Sequence, residues 1–297
     1  MASSPAALRK LRAPILAWYE PRTHLYPWRS TRDPYRILLS ELMLQQTQAS
    51  RVAPAYRTFL SRYPTLSALA RAPRGEVVAA WNGLGYNRRA VSLSEAARTI
   101  VRDHRGRIPP EPEVLARLPG IGPYTAAAIA SLAFGRAVPA IDTNVRRVVS
   151  RVLLGVDVGG VRDAEVRELA ERWVDPDDPG AWNQALMDLG REVCRPRPRC
   201  ERCPVRAGCR FLVEGAQLRP AARRRAPFRG SVREARGAVV RSLRPGSSAT
   251  LGALVARTGL DHGRIARAVA SLDADGLVQA GPAALAGRPL GRVRLRS

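Results

Sequence analysis

Apolar residues recur along most of this chain at intervals of three and four, the spacing of an amphipathic helix. The pattern predicts an amphipathic helix within the N-terminal stretch MASSPAALRKLRAPILAWYE. A succession of short helices follows over 37–48, 51–62, 77–84, 88–105 and 113–117. Further ones are predicted over 125–134, 145–154, 164–173 and 182–193. The punctuation between them is legible. Asp33-Pro34 reads as an N-cap with proline at the first helical position. Tyr63-Pro64-Thr65 breaks one helix and offers Thr65 to cap the next, and Pro109-Pro110 ends another. No alternating strand pattern occurs before about residue 215. The expected fold class is mainly α.

Beyond residue 229 the pattern changes. Residues 232–243 and 250–258 read as helices, and Asp261 caps a third that runs to about residue 275. Gly276-Leu277-Val278 and Val293-Arg294-Leu295 read as the strands of a wing, which makes the tail a small winged-helix-like α+β domain. The segment 215–229, with Arg223-Arg224-Arg225, reads as a basic linker that lies along phosphate.

The length of 297 residues suits two or three domains, and the 45% apolar content suits a buried core. Charge sharpens the picture. Lysine and arginine number 49 against 25 acidic residues, a formal net charge of +24. Such an excess points to a polyanionic partner, nucleic acid first. Lys10 is the only lysine, so a preference for arginine contributes without explaining the twofold excess. No apolar run is long enough to span a membrane, and the N-terminus lacks the continuous apolar core of a secretory signal. The expected location is cytoplasmic, associated with the nucleoid.

Candidate chemistry centres on 118–142, LPGIGPYTAAAIASLAFGRAVPAID. Gly120 and Gly122 tolerate positive φ and close approach, so a turn built on them before a helix can aim backbone N–H groups at a phosphate. Asp142 is a lone carboxylate just after an apolar segment. Glu41 lies within an apolar stripe of Ile37, Leu38, Leu42 and Leu44. In a pocket its carboxyl would be desolvated and its pKa raised, as a general acid needs; on an open helix face it would be an ordinary solvated glutamate. All four cysteines, Cys194, Cys200, Cys203 and Cys209, fall within sixteen residues with the spacing C-x5-C-x2-C-x5-C. Disulfides do not suit a cytoplasmic protein. Four thiolates so close argue for a metal centre, zinc or iron–sulfur by spacing alone. Arg195, Arg197, Arg199, Arg202 and Arg206 make that loop basic.

Several motifs then occur in one order. They are Pro27-Trp28-Arg29, the stretch LSELMLQQTQ at 39–48, WNGLGY at 81–86, LPGIGPYT at 118–125, Ile141-Asp142-Thr143-Asn144-Val145 and the cysteine cluster. Together, over about residues 14–212, they resemble the adenine DNA glycosylases of the MutY family. The resemblance implies an endonuclease III-like two-lobed helical fold with a helix-hairpin-helix and an iron–sulfur loop. Residues 1–30 with 135–214 would form the lobe carrying that loop, and 31–134 a six-helix barrel lobe with the hairpin. A linker at 215–229 and the domain at 230–297 would follow. Three departures stand out: five residues rather than six in the first cysteine gap, Ile-Asp-Thr-Asn where many members have Val-Asp-Gly-Asn, and no recognisable Nudix-like C-terminal domain.

The resemblance further implies a monofunctional hydrolase of base excision repair, removing adenine mispaired with 8-oxoguanine or guanine, with double-stranded DNA as partner and a monomeric state. Glu41 would protonate the adenine and help activate water, and Asp142 would stabilise the sugar cation. Tyr124 and Asn144 would orient the two carboxylates. Gln45, Gln46, Leu84 and Tyr86 would probe the duplex and fill the gap left by a flipped base. Gly120, Gly122 and Arg29 would contact DNA, and Cys194, Cys200, Cys203 and Cys209 would hold a [4Fe-4S] cluster. Bifunctional relatives cut the backbone through a lysine Schiff base. Here Tyr124 stands at that hairpin position and Lys10 is far away in sequence, so an intact abasic site is the expected product. The competing readings are a mismatch thymine or uracil glycosylase on the same scaffold and a non-catalytic iron–sulfur DNA-binding regulator.

Overall fold

Capped helices dominate the computed structural model, which describes residues 4–23, 25–81, 83–218 and 228–296. The arginine run at 223–225 and Asn82 lie outside the described residues. In chain order α1 spans Pro5–Tyr19, α2 Pro34–Leu44, α3 Ala49–Arg62, α4 Leu66–Arg71, α5 Arg74–Ala80 and α6 Arg88–Asp103. Then come α7 Pro112–Leu115, α8 Pro123–Phe134, α9 Thr143–Leu154, α10 Asp163–Trp173, α11 Pro179–Glu192 and α12 Arg210–Val213. The caps are local chemistry. Asp33 accepts from the amides of Tyr35 and Arg36 at 2.8 and 3.1 Å, and Thr65 accepts from Ala68 at 3.1 Å. Gly135 and Gly155 close α8 and α9 in the left-handed conformation.

Two predicted helices end early. The 37–48 pattern stops as helix at Leu44, and 77–84 stops at Ala80. The reason for the first is Arg89, which lies on α6 and is buried. Its guanidinium donates to the Leu42, Met43 and Gln45 carbonyls at 2.8, 2.7 and 2.6 Å. The orphan carbonyls at the end of α2 are thus satisfied by a side chain instead of another helical turn.

The chain divides into two compact units, Met1–Glu41 with Ile108–Arg223, and Leu42–Arg107 with Arg224–Ser297. The division falls inside α2. In the first unit α1, α9, α10 and α11 enclose a core containing Ile15, Tyr19, Val148, Val152, Leu186 and Leu189. Trp173 and Trp182 meet edge-on at its centre, 5.1 Å between centroids. In the second unit α4 and α5 pack against α6, with Phe59 edge-on to Trp81.

The C-terminal part of the second unit follows the winged-helix order: α13 Val232–Ser242, β1 Ser248–Thr250, α14 Leu251–Thr258, α15 His262–Ala274, β2 Val278–Ala280, α16 Pro282–Leu285 and β3 Arg292–Leu295. The strands form one antiparallel sheet in the order β1-β3-β2, with Ala249 opposite Val293 and Gln279 opposite Arg294. Strand β1 and the short helix α16 within the wing lacked any periodic signal. This domain is not a free appendage. A Cβ on Gly75 of α5 would meet the Arg296 carbonyl at 3.3 Å, and Arg88 of α6 pairs with Asp275 at 3.4 Å.

Candidate active site and cysteine loop

Glu41 is 6% exposed. Burial pushes its carboxyl up to about 7; a hydrogen bond from Tyr124 opposes the shift, and the nearby Asp142 charge adds to it. Tyr124, at the start of α8, has its own pKa held well above the ordinary value by burial and these two carboxylates. Its hydroxyl therefore keeps its proton and serves as donor.

Asp142 lives differently. It is the N-cap of α9 and accepts from the amides of Asn144 and Val145 at 2.8 and 2.7 Å. The Asn144 side-chain amide donates to its other oxygen at 2.7 Å. The site therefore sets a buried carboxyl that titrates near 7 beside an aspartate held in place by two backbone amides and a side-chain amide.

Asn144 is itself held. Its side-chain oxygen accepts from Arg147 at 2.8 Å, and Arg147 also donates to the Gly190 and Cys194 carbonyls at 2.7 and 2.6 Å. Gly190 allows α11 to lie this close, since a Cβ there would meet the Asn144 backbone oxygen at 2.8 Å. Arg147 and Arg151 are basic residues of α9. Both are buried, because each holds the cysteine loop. Arg151 donates to the carbonyls of Arg195 and Pro196 at 2.6 and 3.1 Å and pairs with Asp157 at 2.9 Å. A basic residue on a helix gives no signal in sequence of which loop it will hold.

Cys194, Cys200, Cys203 and Cys209 line a single pocket together with Val152, Leu189 and Phe211. No group of three or more His, Cys, Asp or Glu side chains among the described residues is drawn together around one ion. Arg151 also lines this pocket, its guanidinium 3.8 Å from the Cys194 sulfur, and four cysteines on one pocket are a donor set of the kind that holds a metal centre. Burial pushes the Cys203 thiol up to about 12 and also raises Cys194 and Cys209.

The two glycines of the hairpin between α7 and α8 differ in backbone conformation. Gly120 has φ 75°, whereas Gly122 is extended at φ −87° and caps α8. Only the first needs glycine for its backbone angle. Among the described residues neither amide has a hydrogen-bond acceptor, and both glycines are exposed. Arg29, expected on DNA, is committed elsewhere. It pairs with buried Asp188 at 2.6 Å and donates to the Arg22 carbonyl at 2.9 Å.

The remaining expected residues sit in the second unit, on two turns. Gln46 and Tyr86 hold φ of 55° and 48°, strained for residues with a Cβ. Gln46 is exposed, Gln45 half-buried and Tyr86 42% exposed, whereas Leu84 is buried. Arg89 of α6 ties the turns together. Besides its bonds to α2 it donates to the Thr47 hydroxyl at 3.0 Å and the Gly85 carbonyl at 2.9 Å.

This arrangement has relatives. Residues 39–176 match the family described as HhH-GPD superfamily base excision DNA repair protein. The chain is 39% identical over 269 residues to the adenine DNA glycosylase of Mycolicibacterium smegmatis, covering 89% of this chain and 91% of that one. It is 42% identical over 227 residues to the human adenine DNA glycosylase, covering 72% of this chain but 42% of that protein. Among solved structures, a thermostable thymine-DNA glycosylase superposes with a TM-score of 0.63 at 32% identity, covering 70% of this chain and 97% of that one. A trapped endonuclease III–DNA covalent intermediate gives 0.60 at 22% identity, covering 71% and 98%, a likeness of fold. The match of residues 39–176 to that family and the identity to adenine DNA glycosylases over most of the chain show that the chain belongs to the MutY family of adenine DNA glycosylases within the helix-hairpin-helix superfamily of base excision repair proteins.

Proposed function

We propose that this protein is a monofunctional DNA glycosylase that hydrolyses the N-glycosidic bond of adenine mispaired with 8-oxoguanine or guanine. The observation that carries the reading is the unequal carboxyl pair, Glu41 dry and titrating near 7 and Asp142 held by amides. Glu41 delivers its proton to a ring nitrogen of the adenine. The C1′–N bond breaks with its electrons leaving on the base, and positive charge develops on the sugar. The Asp142 carboxylate stabilises that charge, and Asn144, anchored by Arg147, keeps the carboxylate oriented. Water then adds at C1′ while the Glu41 carboxylate, steadied by the Tyr124 hydroxyl, takes its proton. Tyr124 offers no amine, so the backbone stays intact.

The exposed Gly120 and Gly122 amides hold a phosphate, and the exposed Arg195, Arg197, Arg199, Arg202 and Arg206 hold a neighbouring one. Such contacts position without reading sequence. Cys194, Cys200, Cys203 and Cys209 hold a [4Fe-4S] cluster, which when bound supplies four iron–thiolate bonds that fix the basic loop. The thermostable thymine-DNA glycosylase, covered over 97% of its length, favours one second reading, mismatch thymine removal.

The test is a labelled duplex carrying adenine opposite 8-oxoguanine, guanine or cytosine, or thymine opposite guanine, each split with and without alkali. Alkali-dependent cleavage at adenine, fastest opposite 8-oxoguanine, is the expected result. Cleavage confined to thymine would replace the reading with the second one.

A further inference from the structure

Charge in the C-terminal domain is unevenly placed. Residues 230–297 carry eleven arginines against four acidic side chains. All four acids are engaged within the second unit. Glu234 takes Arg264 at 2.6 Å, Asp261 caps α15, Asp273 accepts from the Ala280 amide at 2.9 Å and Asp275 takes Arg236 at 2.6 Å. None of them is on a strand. The sheet sorts its residues by face. Along β3, Val293 and Leu295 are buried, whereas Arg292, Arg294 and the following Arg296 are exposed. Across the ladder Arg292 donates to the Ser248 hydroxyl at 3.2 Å, and Arg294 donates to the Gln279 side-chain oxygen at 3.0 and 2.7 Å. Both partners are neutral. They hold the guanidiniums in place and leave the charge uncancelled, so the row repels itself.

Two ordinary explanations fall short. Charges on an edge strand guard an open edge, but β3 is the central strand, between β1 and β2. A preference for arginine over lysine sets which cation is used, not that successive outward positions of β3 are all cations. Alternate residues of an antiparallel strand stand about 7 Å apart on one face, a step close to that between successive phosphates of one DNA strand. Base reading is poorly provided for. In a winged-helix domain it would fall to α15, where His262 is spent on the Gly287 carbonyl at 2.6 Å and Arg264 on Glu234, while the exposed Gly263, Ala270 and Ala274 offer no polar side-chain atom. We propose that the outward face of the three-stranded sheet, through Arg292, Arg294 and Arg296, binds the phosphate backbone of double-stranded DNA without regard to its sequence, in addition to the contacts of the glycosylase site. This rests on duplex DNA being the partner of the chain, not on which base is excised.

The experiment uses the full-length protein and an undamaged duplex of mixed sequence, with affinity measured over a salt series of about 0.05 to 0.5 M. The natural protein is compared with three variants. The first is Arg292→Gln/Arg294→Gln/Arg296→Gln, and the second is Arg292→Lys/Arg294→Lys/Arg296→Lys. The third, Arg244→Gln/Arg257→Gln/Arg267→Gln, removes the same charge from other exposed positions of the domain. The first should bind at least tenfold more weakly at about 0.05 M salt, with a slope of log K against log salt shallower by about 2 to 3, the gap closing towards about 0.5 M. The lysine variant should regain most of the slope, because a phosphate also takes a point charge. The third variant should lose less than threefold. Equal losses for the two glutamine variants would mean that only net charge matters and would overturn the proposal. So would a first variant that binds like the natural protein, or one whose loss is the same at every salt concentration. Should the first variant melt early, Arg294→Gln and Arg296→Gln singly carry the same test, each flattening the slope by about 1; an unchanged slope in both would overturn the proposal. Failure of the glycosylase reading shows separately, as absence of adenine release from mismatched duplexes, and leaves this comparison on undamaged DNA intact.

Discussion

The surroundings of Glu41 and Asp142 differ in kind from those of Gln46 and Tyr86. Around the carboxylates the side chains are wired to backbone: Asp142 to two amides, Asn144 to Asp142 and Arg147, Arg147 to three carbonyls. Around the turns the backbone is strained and the Tyr86 ring is wet. Bond cleavage requires groups that do not reorganise as charge develops. Inspecting DNA requires surface that accepts a ligand arriving from outside. The first region is held by its own hydrogen bonds; the second leaves Gln46 and Tyr86 exposed.

The sharpest way to break this comparison is to neutralise the carboxyl pair. Glu41→Gln and Asp142→Asn should each slow single-turnover adenine release by about a thousandfold, the middle of the range for a positioned acid or base, with DNA affinity changed by no more than a few-fold. Loss within tenfold for either would remove that residue from the chemistry.

Next in size is Arg89, which holds the second region through bonds to several backbone carbonyls. Arg89→Ala leaves the Leu42, Met43, Gln45 and Gly85 carbonyls without their donor, at a cost of about 3 kcal/mol or more. Arg89→Lys should recover little, since an ammonium cannot fork to so many acceptors. Denaturant titration measures the loss, and DNA affinity should fall further than stability alone explains. An unchanged midpoint would mean that water replaces the guanidinium and that the turns hold themselves.

What sequence could show follows the same divide. Asp142 and Asn144 lie two residues apart at a helix start, so one cap geometry positions both, and a short motif carries it. The hairpin is likewise local. The winged-helix order emerged from helical spacing, the Asp261 cap and two short strand signals at 276–278 and 293–295, though β1 and α16 did not, being three and four residues long. Long-range partners left no trace. Arg29 on Asp188, Arg147 on Cys194 and Arg89 on the Gln45 turn join positions 159, 47 and 44 residues apart. In a chain with 49 basic residues nothing marks which arginines turn inward.

The pH dependence reports on Glu41. Glu41 titrates near 7 when folded against an ordinary 4.5. As the proton donor it should give excision rates that are level below about 7 and fall tenfold per unit above it. The same shift bears on stability. Folding favours the protonated form, so the contribution is fully present below 4.5 and lost as pH rises through 7, about 3 kcal/mol in all. Glu41→Gln should therefore be more stable than the natural protein at pH 8 and indistinguishable from it near pH 4. Melting temperatures at the two pH values decide it. An equal difference at both would mean that Glu41 is hydrated and ordinary.

The smallest effect concerns the two hairpin glycines, which resemble each other in sequence and differ in structure. Gly120→Ala forces a Cβ into the left-handed region and should destabilise by about 1 kcal/mol. Gly122→Ala should leave stability nearly unchanged, because its φ of −87° suits any residue and a Cβ there meets nothing within 4 Å. That open space is where a phosphate would approach the exposed amides. Gly122→Ala should then weaken DNA binding several-fold while melting like the natural protein, and Gly120→Ala should do the reverse in proportion. If Gly122→Ala binds DNA unchanged, the space beside the hairpin is not where the backbone docks, and the amides are exposed for no ligand. A glycine kept for an angle and a glycine kept for an approach are thus told apart by which of two measurements moves.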